Sequence, residues 1–302
     1  MIRSVFLFPH LAIFLFPTIL CSSFLHAFDL EVTELMEFDN SLSESSGLAS
    51  HGRFLWSIND SGNSNEVLKL SQTGGQINSI EITNATNIDW ESLAQDEEYL
   101  YIGDIGNNFN RRNNFTIYKV AWDLLAKDSA EAEIITFSYA DYEKGNLGSH
   151  NFDAEGIAVR EEEIWLFTKN RGDGNSNLYR FPKLPGHYEP KKTQALAVES
   201  LVTAADIDPV TGKLILLSTK RLSTGWVNIF WSALTTDNGV FWNSRQSIKI
   251  SPSDQWEGVL WERSKRGILM THEKNTRRSA GLARLTSEAI KSVEQRDLNA
   301  LP

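Results

Sequence analysis

Cysteine is almost missing: the 302-residue chain has one, Cys21. A single thiol excludes an internal disulfide and a zinc–thiolate centre. Basic residues are in deficit, 29 Lys and Arg against 39 Asp and Glu, for a formal net charge of -10. Proteins that grip the phosphate backbone carry the opposite balance, so nucleic acid is not an expected partner. Long apolar runs occur once, at Val5–Leu20, and Pro9 and Pro17 interrupt it. That excludes a multi-span membrane protein, and no membrane span is expected in the rest of the chain. No nucleotide-binding glycine fingerprint and no nucleophile-elbow motif is found. What remains is ordinary globular composition, 41% hydrophobic and 23% charged, with 16 Phe, 9 Trp and 19 Gly. Such a mixture suits packed aromatic strands separated by many turns.

The first 27 residues stand apart. Met1-Ile2-Arg3 precedes the apolar run, and no acidic residue occurs before Asp29. This is the pattern of a secretory signal peptide, leaving residues 28–302 as one domain, secreted or periplasmic. Leu25-His26-Ala27 and Cys21-Ser22-Ser23 are the two candidate cleavage sites. Thr18-Ile19-Leu20 makes a poor lipobox, so a lipid anchor on Cys21 is not expected.

Internal repetition organises the rest. A polar residue, a small residue and an aliphatic residue recur about every 50 residues, each time opening an apolar strand. The copies begin at Ser46, Glu91, Glu155, Thr203 and Glu257. Each precedes a second strand (Phe54–Ile58, Tyr99–Gly103, Glu163–Thr168, Lys213–Ser218, Gly267–Thr271) and a third; four precede a fourth. Four strands per repeat predict an all-β fold, a β-propeller of five four-stranded blades, with six as the alternative. The fifth copy lacks its outer strand, and Leu30–Phe38 is an orphan before the first. Pairing the two closes the ring with the N-terminal strand. Trp122–Ala132 is expected to form a short helix, and Ser287–Asp297 a helix or a competing fourth strand.

Closure decides where chemistry sits. The start of each inner strand and the end of the second strand share one channel mouth, because the two are antiparallel. Glu91, Glu155 and Glu257 therefore meet Asp60 and Asp104, flanked by Glu44, Asp89 and Asp153. The first five are the candidate metal ligands: crowded carboxylates raise one another's pKa and call for a cation. Asn59, Asn87, Asn107 and Asn170 add amide oxygens, the ligand set of Ca²⁺ or Mg²⁺. Lys169, Arg171, Lys220 and Lys274 offer direct ion pairing instead. Arg111 and His272 join Asn59, Asn107 and Asn170 as candidate ligand-binding groups. Trp56, Trp90, Trp165 and Trp256 are expected in the core.

Ser45-Ser46-Gly47-Leu48, Leu55–Gly62, Asn87–Glu91, Tyr101–Asn108, Asn151–Glu155 and Gln255–Gly258 resemble a family of secreted bacterial β-propellers of unassigned function. The resemblance runs through nearly all of residues 28–302 and implies an exported propeller without assigning an activity. A looser likeness, limited to the Glu-Gly step, is to gluconolactonase-like propellers; secreted phytase-like propellers are equally distant. In the gluconolactonase-like group an inner-strand Glu with an Asn and an Asp holds a divalent metal.

Two functions follow. The first is binding of a small molecule, glycan or peptide at the mouth, through a divalent cation. The second is metal-dependent hydrolysis of an ester, lactone or phosphoester, with Glu155 or Glu257 as base and Lys169 or Arg171 stabilising negative charge. A scaffold with purely structural ion pairs is the third reading. A monomer is expected.

Overall fold

Alternating apolar residues, closely spaced turns and β-branched or aromatic side chains drive this chain into short strands. A computed structural model describes residues 29–144, 148–262 and 267–285. The leader, Cys21 and the Ser287–Asp297 tail lie outside the described residues.

The chain enters through β1 (Leu30–Glu31) and β2 (Thr33–Glu37). Blade 1 follows with β3 (Ser45–His51), β4 (Phe54–Asn59), β5 (Glu66–Leu70) and β6 (Gln76–Ile82). Blade 2 has β7 (Trp90–Gln95), β8 (Tyr99–Asp104) and β9 (Phe115–Ala121), then the short β10 (Ser129–Ala130) and the outer strand β11 (Glu133–Phe137). Blade 3 has β12 (Ala154–Arg160), β13 (Glu163–Thr168) and β14 (Ser176–Pro182), then β15 (Gly186–Tyr188) and the outer β16 (Lys192–Leu196). Blade 4 is β17 (Leu201–Ile207), β18 (Lys213–Leu222), β19 (Gly225–Thr236) and β20 (Gly239–Ser251). Blade 5 supplies β21 (Trp256–Glu262), β22 (Gly267–His272) and β23 (Gly281–Leu285).

The protein is a five-bladed β-propeller. Its inner strands pack in the cyclic order β3, β7, β12, β17, β21 and back to β3. Blade 5 takes β2 as its outer strand, antiparallel to β23 with Glu37 opposite Gly281. The N-terminal strand thus closes the ring. Only part of the Leu30–Phe38 segment does so, because Leu30 and Glu31 pair in parallel with Ile250 and Ser251 of blade 4.

That detour is one case of a repeated device. β10 lies parallel on β6, and β15 lies parallel on β11. In these two the link between the third and outer strands of one blade adds a fifth strand to the blade before it, and β1, just ahead of the outer strand β2, does the same for blade 4. Between blades 3 and 4, side chains do the same work. Gln194 exchanges two hydrogen bonds with the Val240 backbone, at 2.8 and 3.0 Å, and Arg160 Nε donates to Thr235 Oγ1 at 3.1 Å. The helix expected over Trp122–Ala132 is instead a single 3₁₀ turn, Leu124–Ala126, followed by β10. Pairing with β6 takes the backbone groups that a helix would have used.

Five apolar clusters hold the ring, one at each blade interface. Trp90 and Trp256 are fully buried between blades 1 and 2 and between blades 4 and 5, as their strand parity implies. Trp56 and Trp165 are buried as well. Near the axis the blades come so close that the residue after each opening polar position must be small. A Cβ on Gly47 would lie 2.7 Å from the Leu93 backbone nitrogen. Among the described residues, no helix is long and apolar enough to cross a membrane.

Candidate cation and ligand site

Every inner strand carries a β-bulge at the same place, and the bulged residues are Ser46, Glu91, Glu155, Thr203 and Glu257. A bulge leaves one residue unpaired and re-aims its side chain. The five polar openings of the repeats are therefore the five positions at which the ladder is broken. Ser46 and Thr203 serve the scaffold. Ser46 Oγ donates to the Glu91 carbonyl at 3.1 Å and Thr203 Oγ1 to the Trp256 carbonyl at 2.6 Å, each reaching the next blade. The three glutamates are left at the axis.

Charges at this mouth sort into two groups. In the first, acids meet bases. Glu155 pairs with Lys169 across blade 3, both buried. Arg171 Nε stands 2.8 Å from Asp153 Oδ2, and Arg112 Nη2 is 2.8 Å from Asp104 Oδ1. In the second group, Asp60, Asp89 and Glu91 have no ion-pair partner among the described residues. One oxygen of each lies within 4.8 Å of the others. Asp60 comes from the loop after β4, and Asp89 and Glu91 from the approach to β7 and its first turn. Asn87 ties these two segments together. Its amide donates to the carbonyls of Asn59 and Asp60 at 3.1 and 3.0 Å, and its oxygen accepts from the Trp90 amide at 3.1 Å.

Protonation follows from this layout. Burial pushes Asp89 up to about 6, helped by Asp60 and opposed by Arg112. Burial, then Glu155, Asp60 and Asp89, push Glu91 well above the usual carboxylate range. Asp60 is raised by burial and by Glu44. Burial raises Glu155 well above its usual range against the pull of Lys169. Glu257 and Glu273 are both pushed up to about 8, first by burial; the charge of Lys169 opposes the rise in each. Lys169 is raised too, which favours its charged form: burial would lower it, but Glu155, Glu257 and Glu91 together hold it above its ordinary value. The mouth thus has more carboxylate than its cations neutralise. Among the described residues, two buried carboxylate oxygens here, Glu155 Oε2 and Asp104 Oδ2, lack a hydrogen-bond partner.

Other candidates fall elsewhere. The amide oxygens of Asn59, Asn107 and Asn170 already accept from Glu44 N, from Arg111 N and Arg112 N, and from Thr168 Oγ1 respectively. These hydrogen bonds hold the loops that surround the mouth. His272 is buried edge-on to Trp256, with Nε2 3.5 Å from Glu34 Oε2 of the closing strand, so it belongs to the blade 5 seam and not to the mouth. Arg111 is exposed beside Phe109. Asp89 ranked only as a flanking acid by sequence: it lies just outside β7, and the bulge at Glu91 breaks the strand alternation that could have linked the two. Gly106 went unnoticed. A Cβ there would lie 2.3 Å from Asp89 Oδ2 and 2.5 Å from Glu91 Oε1, so both carboxylates occupy the space of its missing side chain. A cavity of about 360 Å³ opens at the opposite mouth, away from this group, beside His51, Arg53 and Asp96.

No protein-family model matches the chain, and no curated protein sequence does. Solved structures of similar shape include a hypothetical protein from Leishmania major, 8% identical, covering 86% of this chain and 90% of that one with a TM-score of 0.48. The WD40 β-propeller domain of Doa1 is 10% identical, covering 84% of this chain and 96% of that one with a TM-score of 0.39. Kuenenia stuttgartiensis hydrazine synthase is 11% identical over 80% and 74%, also with a TM-score of 0.39. At such identities the likeness concerns fold alone.

Proposed function

We propose that this propeller binds a small ligand through a divalent cation held at the channel mouth by Asp60, Asp89 and Glu91. The convergence of these three carboxylates carries the reading. Oxygens that share one Ca²⁺ at about 2.4 Å lie no more than about 4.8 Å apart, and this set meets that limit. Hard oxygen donors without nitrogen or sulfur suit Ca²⁺ or Mg²⁺. The partnerless Glu155 Oε2 supports it independently, because a buried acceptor is satisfied by a cation or by its bound water. Three protein ligands leave positions open for oxygens of the ligand. Calorimetric titration of residues 28–302 with Ca²⁺ and with Mg²⁺ tests this, alongside melting in chelator. Uptake of neither ion, with no change in melting, overturns the reading.

Lys169 favours a second reading, the metal-dependent hydrolase of an ester, lactone or phosphoester. A buried ammonium ringed by Glu155, Glu257 and Glu91 is a fixed charge that would stabilise an oxyanion. Glu155 would act as base on cation-bound water, with Glu257 and Arg171 beside it. Turnover on a panel of such substrates, lost in Glu155→Gln, would select this reading over binding alone.

The leader pattern supports work outside the cytoplasm. N-terminal sequencing of exported protein tests it, and a chain still beginning at Met1 in the cell interior overturns it.

A further inference from the structure

Around the carboxylates the same face carries two exposed aromatic rings, each beside an arginine. Phe109 is 63% exposed, and the Arg111 guanidinium stands 5.3 Å from its ring centroid. Trp226 is 53% exposed, with the Arg221 guanidinium 5.7 Å from its ring. Phe109 lies in the loop joining β8 to β9 and Trp226 at the tip of the β18–β19 hairpin. Both connections join the end of a second strand to the start of a third, as does the Asp60 loop, so all three open on one face. Blade 2 and blade 4 place the two rings on either side of blade 3. Neither guanidinium has a carboxylate partner among the described residues, in a chain where acids outnumber bases.

Resting on the cation reading above, we infer that the ligand is an acidic oligosaccharide lying across the mouth from blade 2 to blade 4. The apolar C–H face of a sugar ring stacks on an exposed aromatic side chain. A uronate carboxylate takes the unpaired fork of an arginine. An oxygen of a middle sugar completes the shell of the cation over Asp60, Asp89 and Glu91. All three contacts select oxygen-rich rings bearing negative charge. A single-stranded nucleic acid also offers rings and negative charge, so an oligonucleotide is the control that separates the two.

The test is calorimetry on residues 28–302 in Ca²⁺ with a galacturonic acid tetramer, a glucose tetramer and a single-stranded oligonucleotide. The acidic tetramer is expected to bind, to lose its affinity in chelator, and to bind about tenfold more weakly to Arg221→Gln and to Arg111→Gln, the loss of one charge-assisted contact. Trp226→Ala should weaken it by a similar factor while Ca²⁺ uptake is unchanged. Ca²⁺ uptake with no tetramer binding overturns the glycan assignment alone. Equal binding of the glucose tetramer, or tighter binding of the oligonucleotide, overturns it as well. Absence of Ca²⁺ uptake overturns the cation reading itself.

Discussion

Gly106 and Asp89 touch at a point where neither tolerates growth: a methyl group on Gly106 would stand 2.3 Å from Asp89 Oδ2. The Gly106 amide also donates to the Asp89 carbonyl at 3.2 Å, so the loop cannot withdraw to make room. Gly106→Ala is expected to displace the Asp89 and Glu91 carboxylates together. Calorimetry should show at least a tenfold loss of Ca²⁺ affinity, with Tm lowered by about 5 °C. Unchanged affinity would remove Asp89 and Glu91 from the cation site.

Asp89→Asn separates ligand from charge. Without added cation the variant should melt a few degrees higher than the parent at pH 7, because one of several repelling, desolvated carboxylates has gone. With Ca²⁺ the order should reverse, since only the parent gains from the ion. Two melting curves, with calcium and with chelator, check both signs.

Acid should stabilise the cation-free protein. Asp89, Glu257 and Glu273 have folded-state pKa values raised to about 6, 8 and 8. Their neutral forms are favoured by folding. That contribution is complete below their ordinary pKa values near 4 and is lost as pH rises to about 8. Urea unfolding from pH 5 to pH 8 in chelator should show stability falling steadily. A rise across this window would mean that the carboxylates are compensated.

Lys169→Met leaves Glu155 without its cation in a buried setting. The expected loss is about 3–5 kcal/mol at pH 7 and smaller at pH 5, because burial favours the neutral form of Glu155 as pH falls. Denaturant unfolding at both pH values measures it. Equal losses would show that the side chain matters for packing and not for charge.

At the closing seam, Arg278 bridges Asp254 and Glu34 and stacks its guanidinium 5.5 Å from the Trp256 ring centroid. The two partners differ: Asp254 is nearly inaccessible, with 6% side-chain exposure, while Glu34 is 42% exposed. Arg278→Ala should cost about 3 kcal/mol and Glu34→Ala about 1 kcal/mol or less. Urea midpoints for the two variants test the ranking.

Much of the architecture was legible because the opening residues recur in a fixed local setting. Ser46, Glu91, Glu155, Thr203 and Glu257 are polar before an apolar run wherever a bulge turns them to the axis, and that pattern survives sequence divergence. The interblade strands were not legible. Ser129–Ala130 and Gly186–Tyr188 are too short to show a period of two, and they form only because a neighbouring edge is present. The sorting of charges was hidden for a different reason. Lys169 reaches Glu155 within its own blade, whereas Asp60 meets Asp89 and Glu91 across a blade boundary, and no spacing in the chain states how far adjacent blades rotate. His272 ends a second strand as the repeat implies, but spacing alone does not reveal that its buried ring faces Glu34 across the closing seam.

The order of synthesis gives the closing strand a further consequence. Thr33–Glu37 is made before any blade is complete, and its partner, Gly281–Leu285, only after four blades have followed. Until that partner emerges the first strand has no mate, and no chain ending before it contains a finished wheel. A protein assembled this way gains its final seam in a single late event, and losing either strand opens the same joint.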